Sequence, residues 1–228
     1  MPLDRLAAPP DLAQRVYDAL SDAIAAGALA PGERVTQEGL AERFGVSRQP
    51  VLQALLLLKR QGLIVDAGRK GVMVAPLDPV HVRRLYEVRA ALDGAACRLA
   101  AERMDDGLRA RGQHLLDAGH RAMESGNAAA LLAADIDFHL FLYEASGNPL
   151  FAETAAPHWR HLRRVMGAVL RGPEAYEWVW REHAAILAAL IEGDGERAAT
   201  LATAHAHGGA ERLAPSLETT DEAKGATP

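Results

Sequence analysis

Apolar residues recur at three- and four-residue spacing along almost the whole chain, and that period breaks once, over residues 63–76. A pattern of this kind dictates a mainly helical protein, because positions three and four apart line one face of a helix. Leu12, Val16, Leu20 and Ile24 set the first stripe, which stops at Gly27. The spacing predicts helices over about 11–26, 36–44 and 47–61, with Thr36 and Ser47 as N-caps and Gly45 as the tight turn between the last two. The exceptional stretch holds two short β-rich runs, 63–65 and 72–75, around Gly68 and Gly71, and predicts a hairpin. Asp78 and Pro79 then form a cap and first-turn pair. Beyond them the periodicity predicts six helices, about 79–103, 106–125, 127–146, 149–171, 173–192 and 194–213. The breaks between these are short and rich in Gly, Asn, Asp and Pro, so neighbouring helices run antiparallel. The expected organisation is a winged helix-turn-helix over 11–76 (three helices plus a β-hairpin wing), then an all-α antiparallel bundle over 77–215. Residues 216–228, nearly without apolar side chains, read as a disordered tail.

Composition removes several classes. With 228 residues and 49% apolar side chains the chain can bury two cores, and it is too apolar to stay disordered. No apolar run approaches the ~18 residues that span a bilayer. The first ten residues lack a signal-peptide core, and the single cysteine, Cys97, has no internal disulfide partner. A cytoplasmic protein without membrane association is expected. Net charge is −5, but the balance is uneven, with eight basic residues against seven acidic ones over 11–76. A near-neutral unit still grips a polyanion when its cations share one face.

Helix, turn, helix and hairpin in that order suit double-stranded DNA. Leu40, Ala41, Phe44, Val46, Val51, Ala54 and Leu55 pack two crossing helices together. Ser47, Arg48 and Gln49 then open the third helix, where free N–H groups favour phosphate and side chains reach base edges. Gln53 lies one turn further on, and Arg69 and Lys70 sit at the hairpin tip, placed for a phosphate or a minor groove. The alternative is a protein-contact module with a solvated charged face. The stretch from Ile24 to Val35, with Leu40-Ala41, Gly45-Val-Ser-Arg48, Pro50-Val51, Ala54-Leu55, Gly62-Leu63 and Gly71, resembles the DNA-binding domain of the gluconate-repressor (GntR) family of bacterial transcription regulators. One position departs from the family. Leu52 stands where members usually carry an operator-contacting arginine, and with Leu56 it follows Arg48 along the face expected to meet DNA. A leucine can touch a thymine methyl and cannot hold a guanine bidentately.

In the second unit Asp135 and His139 are four apart on one predicted helix, hence on one face. His183 and His205 fall near the middles of the next-to-last and last helices. A carboxylate and three imidazoles from three helices make a sensible shell for Zn²⁺, with Ni²⁺ or Mn²⁺ as alternatives. Isolated histidines are also ordinary surface or core residues, and His81, His114, His120, His158, His161 and His207 are read that way. Trp159, Trp178 and Trp180 read as core or dimer contacts. Asp135-Ile-Asp-Phe-His139, Ser146-Gly-Asn-Pro149, Glu182-His183 and the later His205 resemble the effector domain of the fatty-acid-regulator (FadR) branch of the same family. The resemblance implies that Asp135, His139, His183 and His205 are the ligands of a divalent metal. It also implies that Arg89, which lies on an otherwise apolar face, meets the carboxylate of a small organic acid. Asp93, one turn on, is the other candidate partner for Arg89. Asn148 either lines the effector pocket or caps the next helix. The function expected is a homodimeric, ligand-responsive repressor on a palindromic operator, not an enzyme. The competing readings are a metal-dependent hydrolase carrying a DNA-binding appendage, and a bundle that serves dimerisation alone.

Overall fold

The computed structural model describes residues 12–68, 71–169 and 176–225, with side chains described as far as residue 217. The fold is mainly helical and divides after Pro76 into two compact units. In the first unit α1 (Leu12–Ala25) buries Val16, Tyr17, Leu20 and Ile24 on one stripe. A two-residue strand, β1 (Arg34–Val35), precedes α2 (Gln37–Phe44), and α3 (Arg48–Arg60) follows. Thr36 caps α2 by accepting a hydrogen bond from the Gly39 N–H at 3.1 Å, which satisfies one of the orphan donors of the first turn. Ser47 occupies the N-cap position of α3 in extended backbone without a side-chain cap bond. Strands β2 (Ile64–Asp66) and β3 (Val72–Val74) form the predicted hairpin.

The sheet has a third strand that the period alone does not show. Its order is β1-β3-β2, all antiparallel, with Arg34 opposite Met73 and Val35 opposite Val72. The Gly32 N–H bonds to the Val74 carbonyl and the Val74 N–H to the Glu33 carbonyl, which zips the segment after the Pro31-Gly32 turn onto the free edge of β3. Gly71 is essential to that seam. Its φ is +99°, and a Cβ there would sit 2.6 Å from the Val35 carbonyl oxygen. Val51, Ala54, Leu58, Leu63, Ile64 and Val74 join the α1 stripe in the core of this unit. Each large aliphatic among them contributes about 1.5–3 kcal/mol by leaving water.

The second unit is the bundle: α4 (Pro79–Arg103), α5 (Asp106–Ser125), α6 (Ala128–Ala145), α7 (Leu150–Val169), α8 (Glu177–Ile191) and α9 (Gly195–Gly225). Asp78 caps α4, Asp105 caps α5 and Asn127 caps α6, each through its side-chain oxygen. The break at Gly172-Pro173 lies outside the described residues. α9 continues past 213, to Gly225, where a tail is expected from 216. The apolar pattern also continues, for Leu213, Ala214 and Leu217 are all buried in the bundle core. Among the described residues no helix is long and apolar enough to cross a membrane.

α5 approaches α8 closely at Gly119, where an added Cβ would lie 2.3 Å from carbons of the Trp180 ring. Trp180 is 1% exposed and rigid, so it cannot yield. Gly119→Ala is therefore expected to destabilise the protein by about 1–3 kcal/mol through overpacking, visible as a lower melting temperature. A melting curve unchanged from wild type would show that the interface is looser than its geometry.

Candidate metal centre and recognition helix

The bundle brings four polar side chains from three helices to one buried point. α6 supplies Asp135 and His139, one turn apart on its inner face, α8 supplies His183 and α9 supplies His205. All four are buried, and one ligand atom from each falls within 4.8 Å of all the others. His183 Nε2 lies 3.5 Å from Asp135 Oδ1 and 3.2 Å from His139 Nε2. His139 Nε2 lies 4.0 Å from Asp135 Oδ1. Burial, aided by the cationic Arg89 nearby, holds His139 well below the ordinary imidazole range. Burial does the same to His183. Both rings are therefore neutral and offer lone pairs.

Asp135 Oδ2 and His183 Nδ1 have no hydrogen-bond partner, although each such buried group costs about 1–3 kcal/mol. One carboxylate oxygen and three imidazole nitrogens converging at one buried point are the donor set of a divalent ion such as Zn²⁺, Ni²⁺ or Mn²⁺. The residues fit the group.

Behind the donors stand partners that fix them. Glu182 Oε2 lies 2.7 Å from His205 Nδ1, leaving Nε2 as the nitrogen free to face the cluster. That contact holds the Glu182 carboxyl below the usual carboxylate range. Asp93 Oδ2 lies 3.1 Å from His139 Nδ1, although the angle makes no hydrogen bond. Asp93 also accepts from Arg89 Nε at 3.1 Å and from the Tyr143 hydroxyl. The Arg89 guanidinium contacts His139 Nε2 and lies between the rings of Tyr86 and Trp159, 5.2 and 4.8 Å from their centroids. Burial opposes its charge, but Asp93 together with the other acidic groups around it outweighs burial and Arg89 stays cationic. Burial pushes the neighbouring Tyr86 hydroxyl up to about 12.

Each of the three histidines carries its own indole. Trp159 packs on His139, Trp178 on His205 and Trp180 on His183, at centroid distances of 5.3, 5.6 and 5.0 Å. A carboxylate behind a metal-bound imidazole raises its basicity and fixes its tautomer, so Glu182→Gln is expected to weaken divalent-ion affinity about 10–100-fold. Unchanged affinity in a competition titration would remove Glu182 from the site.

A narrow cleft, with room for little more than a water molecule, opens beside the cluster, lined among others by Arg89, Tyr86, Asp135, His205, Trp178 and Met166. Asn148 is not among its lining residues. It caps α7, its Oδ1 accepting from the Leu150 N–H at 3.1 Å. Of the two acids that adjoin the histidine and aspartate ligands in sequence, Asp137 is exposed and Glu182 is engaged by His205. The sequence reading named Glu182 only beside His183 in the effector-domain resemblance, and weighed Asp93 only as a partner for Arg89. The four-residue step from Arg89 to Asp93 was visible, but nothing in the spacing signals the reach from Glu182 to the next helix.

In the first unit, Arg48, Gln49, Leu52, Gln53 and Leu56 are exposed on α3, which starts after Ser47. Arg48 is ion-paired with Glu38 of α2, and its carbonyl accepts from Gln37 Nε2 at 2.7 Å. Arg69 and Lys70 lie outside the described residues.

Residues 12–74 match the profile of the bacterial regulatory proteins of the gntR family, and residues 84–208 match the FCD domain. The HTH-type transcriptional regulator YdhC of Bacillus subtilis is 27% identical, over 89% of this chain and 91% of its own. The HTH-type transcriptional repressor RspR of Escherichia coli is 27% identical over 84% of each chain. The solved structure of E. coli McbR/YncC superposes with a TM-score of 0.76, covering 89% of this chain and 96% of that one at 24% identity, a likeness of fold. These relatives are transcription regulators and not enzymes. The winged helix-turn-helix and the bundle with its buried Asp and His cluster thus occupy the segments the two profiles match, and the chain belongs to the GntR family of DNA-binding transcription regulators, in the branch that carries a C-terminal FCD domain.

Proposed function

We propose that this regulator is a homodimeric repressor that senses a small organic acid through a divalent-metal site in its bundle, the metal being Zn²⁺ before Ni²⁺ or Mn²⁺. The observation that carries the reading is the convergence of four buried donor groups within 4.8 Å. Asp135, His139, His183 and His205 hold the ion, which when bound supplies a concentrated positive charge facing the cleft. Arg89 adds a second positive group on the same wall, backed by Asp93 and lying over the rings of Tyr86 and Trp159. A carboxylate entering the cleft is then drawn to that wall, while Trp178 and Met166 limit the size of its carbon chain.

The acid acts on DNA binding only through its differential affinity for the competent and incompetent arrangements of the dimer. That coupling is typically about 1–3 kcal/mol, or 5–150-fold in operator affinity. Two-fold operator symmetry follows from an isologous dimer. Asn148 has no part in this reading, since it serves as a helix cap.

A thermal-shift screen of hydroxy acids, sugar acids and dicarboxylates on the Zn²⁺-supplemented protein tests it. An acid that binds the native state alone raises stability by about 2.7 kcal/mol at a hundred times its Kd. The same acid should lose its effect on Arg89→Lys, which keeps the charge but not the planar fork. Equal shifts in both proteins, or none from any acid, would contradict the sensor. A mobility shift on DNA upstream of the gene, repeated with Arg48→Ala, tests the DNA end separately. Unchanged binding would remove Arg48 from the recognition surface.

A further inference from the structure

The exposed residues of α3 form one continuous stripe of unusual chemistry. Arg48, Gln49, Leu52, Gln53, Leu56, Lys59 and Arg60 are exposed, while Val51, Ala54, Leu55 and Leu58 face the core. The helix contains no acidic residue, and the stripe carries cations at both ends, Arg48 paired with Glu38 and Lys59 with Asp66, and is neutral between. In its middle Leu52 is 39% exposed and Leu56 is 59% exposed, one helical turn apart. Two adjacent leucines left in water on one exposed helix face of a well-packed unit call for an apolar counterpart. The major groove offers one chemical group of that kind, the C5 methyl of thymine, flanked by phosphates on both sides.

We infer that Leu52 and Leu56 read thymine methyl groups, one helical turn apart, in each half-site of the operator. The occupant of this face is a DNA duplex, because the stripe continues without interruption from Arg48 and ends in two further cations that match the phosphate rail. Arg48 is braced by Glu38, which sets the guanidinium at the edge of the same stripe. Specificity then comes from shape and methyl contact at the centre of the reading helix, with the glutamines Gln49 and Gln53 on its flank. A half-site selected by this protein is expected to carry thymines at the positions facing Leu52 and Leu56, and to discriminate poorly where a bidentate guanine contact would otherwise rule. The inference concerns the first unit alone and stands apart from the metal and the acid.

The probe is a duplex enriched from a random-sequence library by the full-length wild-type chain. Each thymine in it is replaced in turn by deoxyuridine, which deletes one methyl and nothing else. At one or two thymines per half-site the wild-type affinity is expected to fall about 4-fold, the value of one buried methyl. The penalty at a given thymine should vanish in Leu52→Ala or in Leu56→Ala, whichever leucine touches it. Both side chains are exposed, so neither variant should lose its fold, and circular dichroism checks this. Uridine substitutions that cost nothing, or penalties that persist unchanged in both variants, would overturn the inference. So would variants that bind the duplex as wild type does while changing the oligomeric mass in solution, which would assign the leucines to a contact between copies of the chain.

Discussion

Replacing His183 with alanine or glutamine is expected to lower divalent-ion affinity by more than 100-fold. Partners that touch a ligand from behind already cost about 10–100-fold when removed, and a direct ligand costs more. His183 is the donor nearest to two others, 3.5 Å from Asp135 and 3.2 Å from His139, so its loss opens the shell at its centre. The imidazole also stacks on Phe138, with centroids 4.1 Å apart. His183→Ala leaves a cavity there, and His183→Gln keeps most of the volume and separates packing from ligation. The expected result is that both variants lose the rise in melting temperature that added Zn²⁺ gives the wild type, while only the alanine variant melts lower without metal. A full Zn²⁺-dependent rise in the glutamine variant would contradict the ligand assignment.

Asp93→Ala is the second large effect. Asp93 is fully buried and accepts from Arg89 and from the Tyr143 hydroxyl while backing His139. Its removal strands a guanidinium that is only 4% exposed. Breaking one side of a buried pair costs about 3–5 kcal/mol, whereas replacing both sides with apolar residues is often neutral. For a unit of this size that predicts a melting temperature lower by roughly 6–20 °C. The double variant Arg89→Met/Asp93→Leu should recover most of the loss. A single variant that melts within a degree of wild type would mean that water or another acid reaches Arg89, and the cleft wall would need to be redrawn.

Most of the architecture was legible in the sequence because its punctuation is chemical. Thr36, Asp78 and Asn127 cap the helices they precede, and Gly45 and Gly126 end helices in the left-handed region. Asp135 and His139 were legible as a pair because a four-residue step places two side chains on one face. Their meeting with His183 and His205 was not readable from spacing, since it depends on how α8 and α9 are rotated in the bundle. The likeness of those residues to a known effector domain supplied it instead. Strand β1 escaped notice because two residues, Arg34 and Val35, carry no period, and their strand character comes wholly from pairing with β3 some forty residues away. Glu182 was missed as a partner of the centre for a related reason. It does point away from its neighbour His183, but another helix places His205 on that side. The three tryptophans read as packing residues, and the structure adds that each packs on a different histidine of the cluster. α9 runs on past 213, where the helix was expected to end, because Leu213, Ala214 and Leu217 continue its buried stripe.

The central claim is that Asp135, His139, His183 and His205 share one cation. Metal content of the purified full-length chain, measured by plasma mass spectrometry after incubation with Zn²⁺, Ni²⁺ or Mn²⁺ and gel filtration, tests it most directly. The account predicts close to one tightly held divalent ion per chain in the wild type and a negligible amount in the His183→Gln/His205→Gln variant. Negligible metal in both proteins, or equal loading of both, would contradict it.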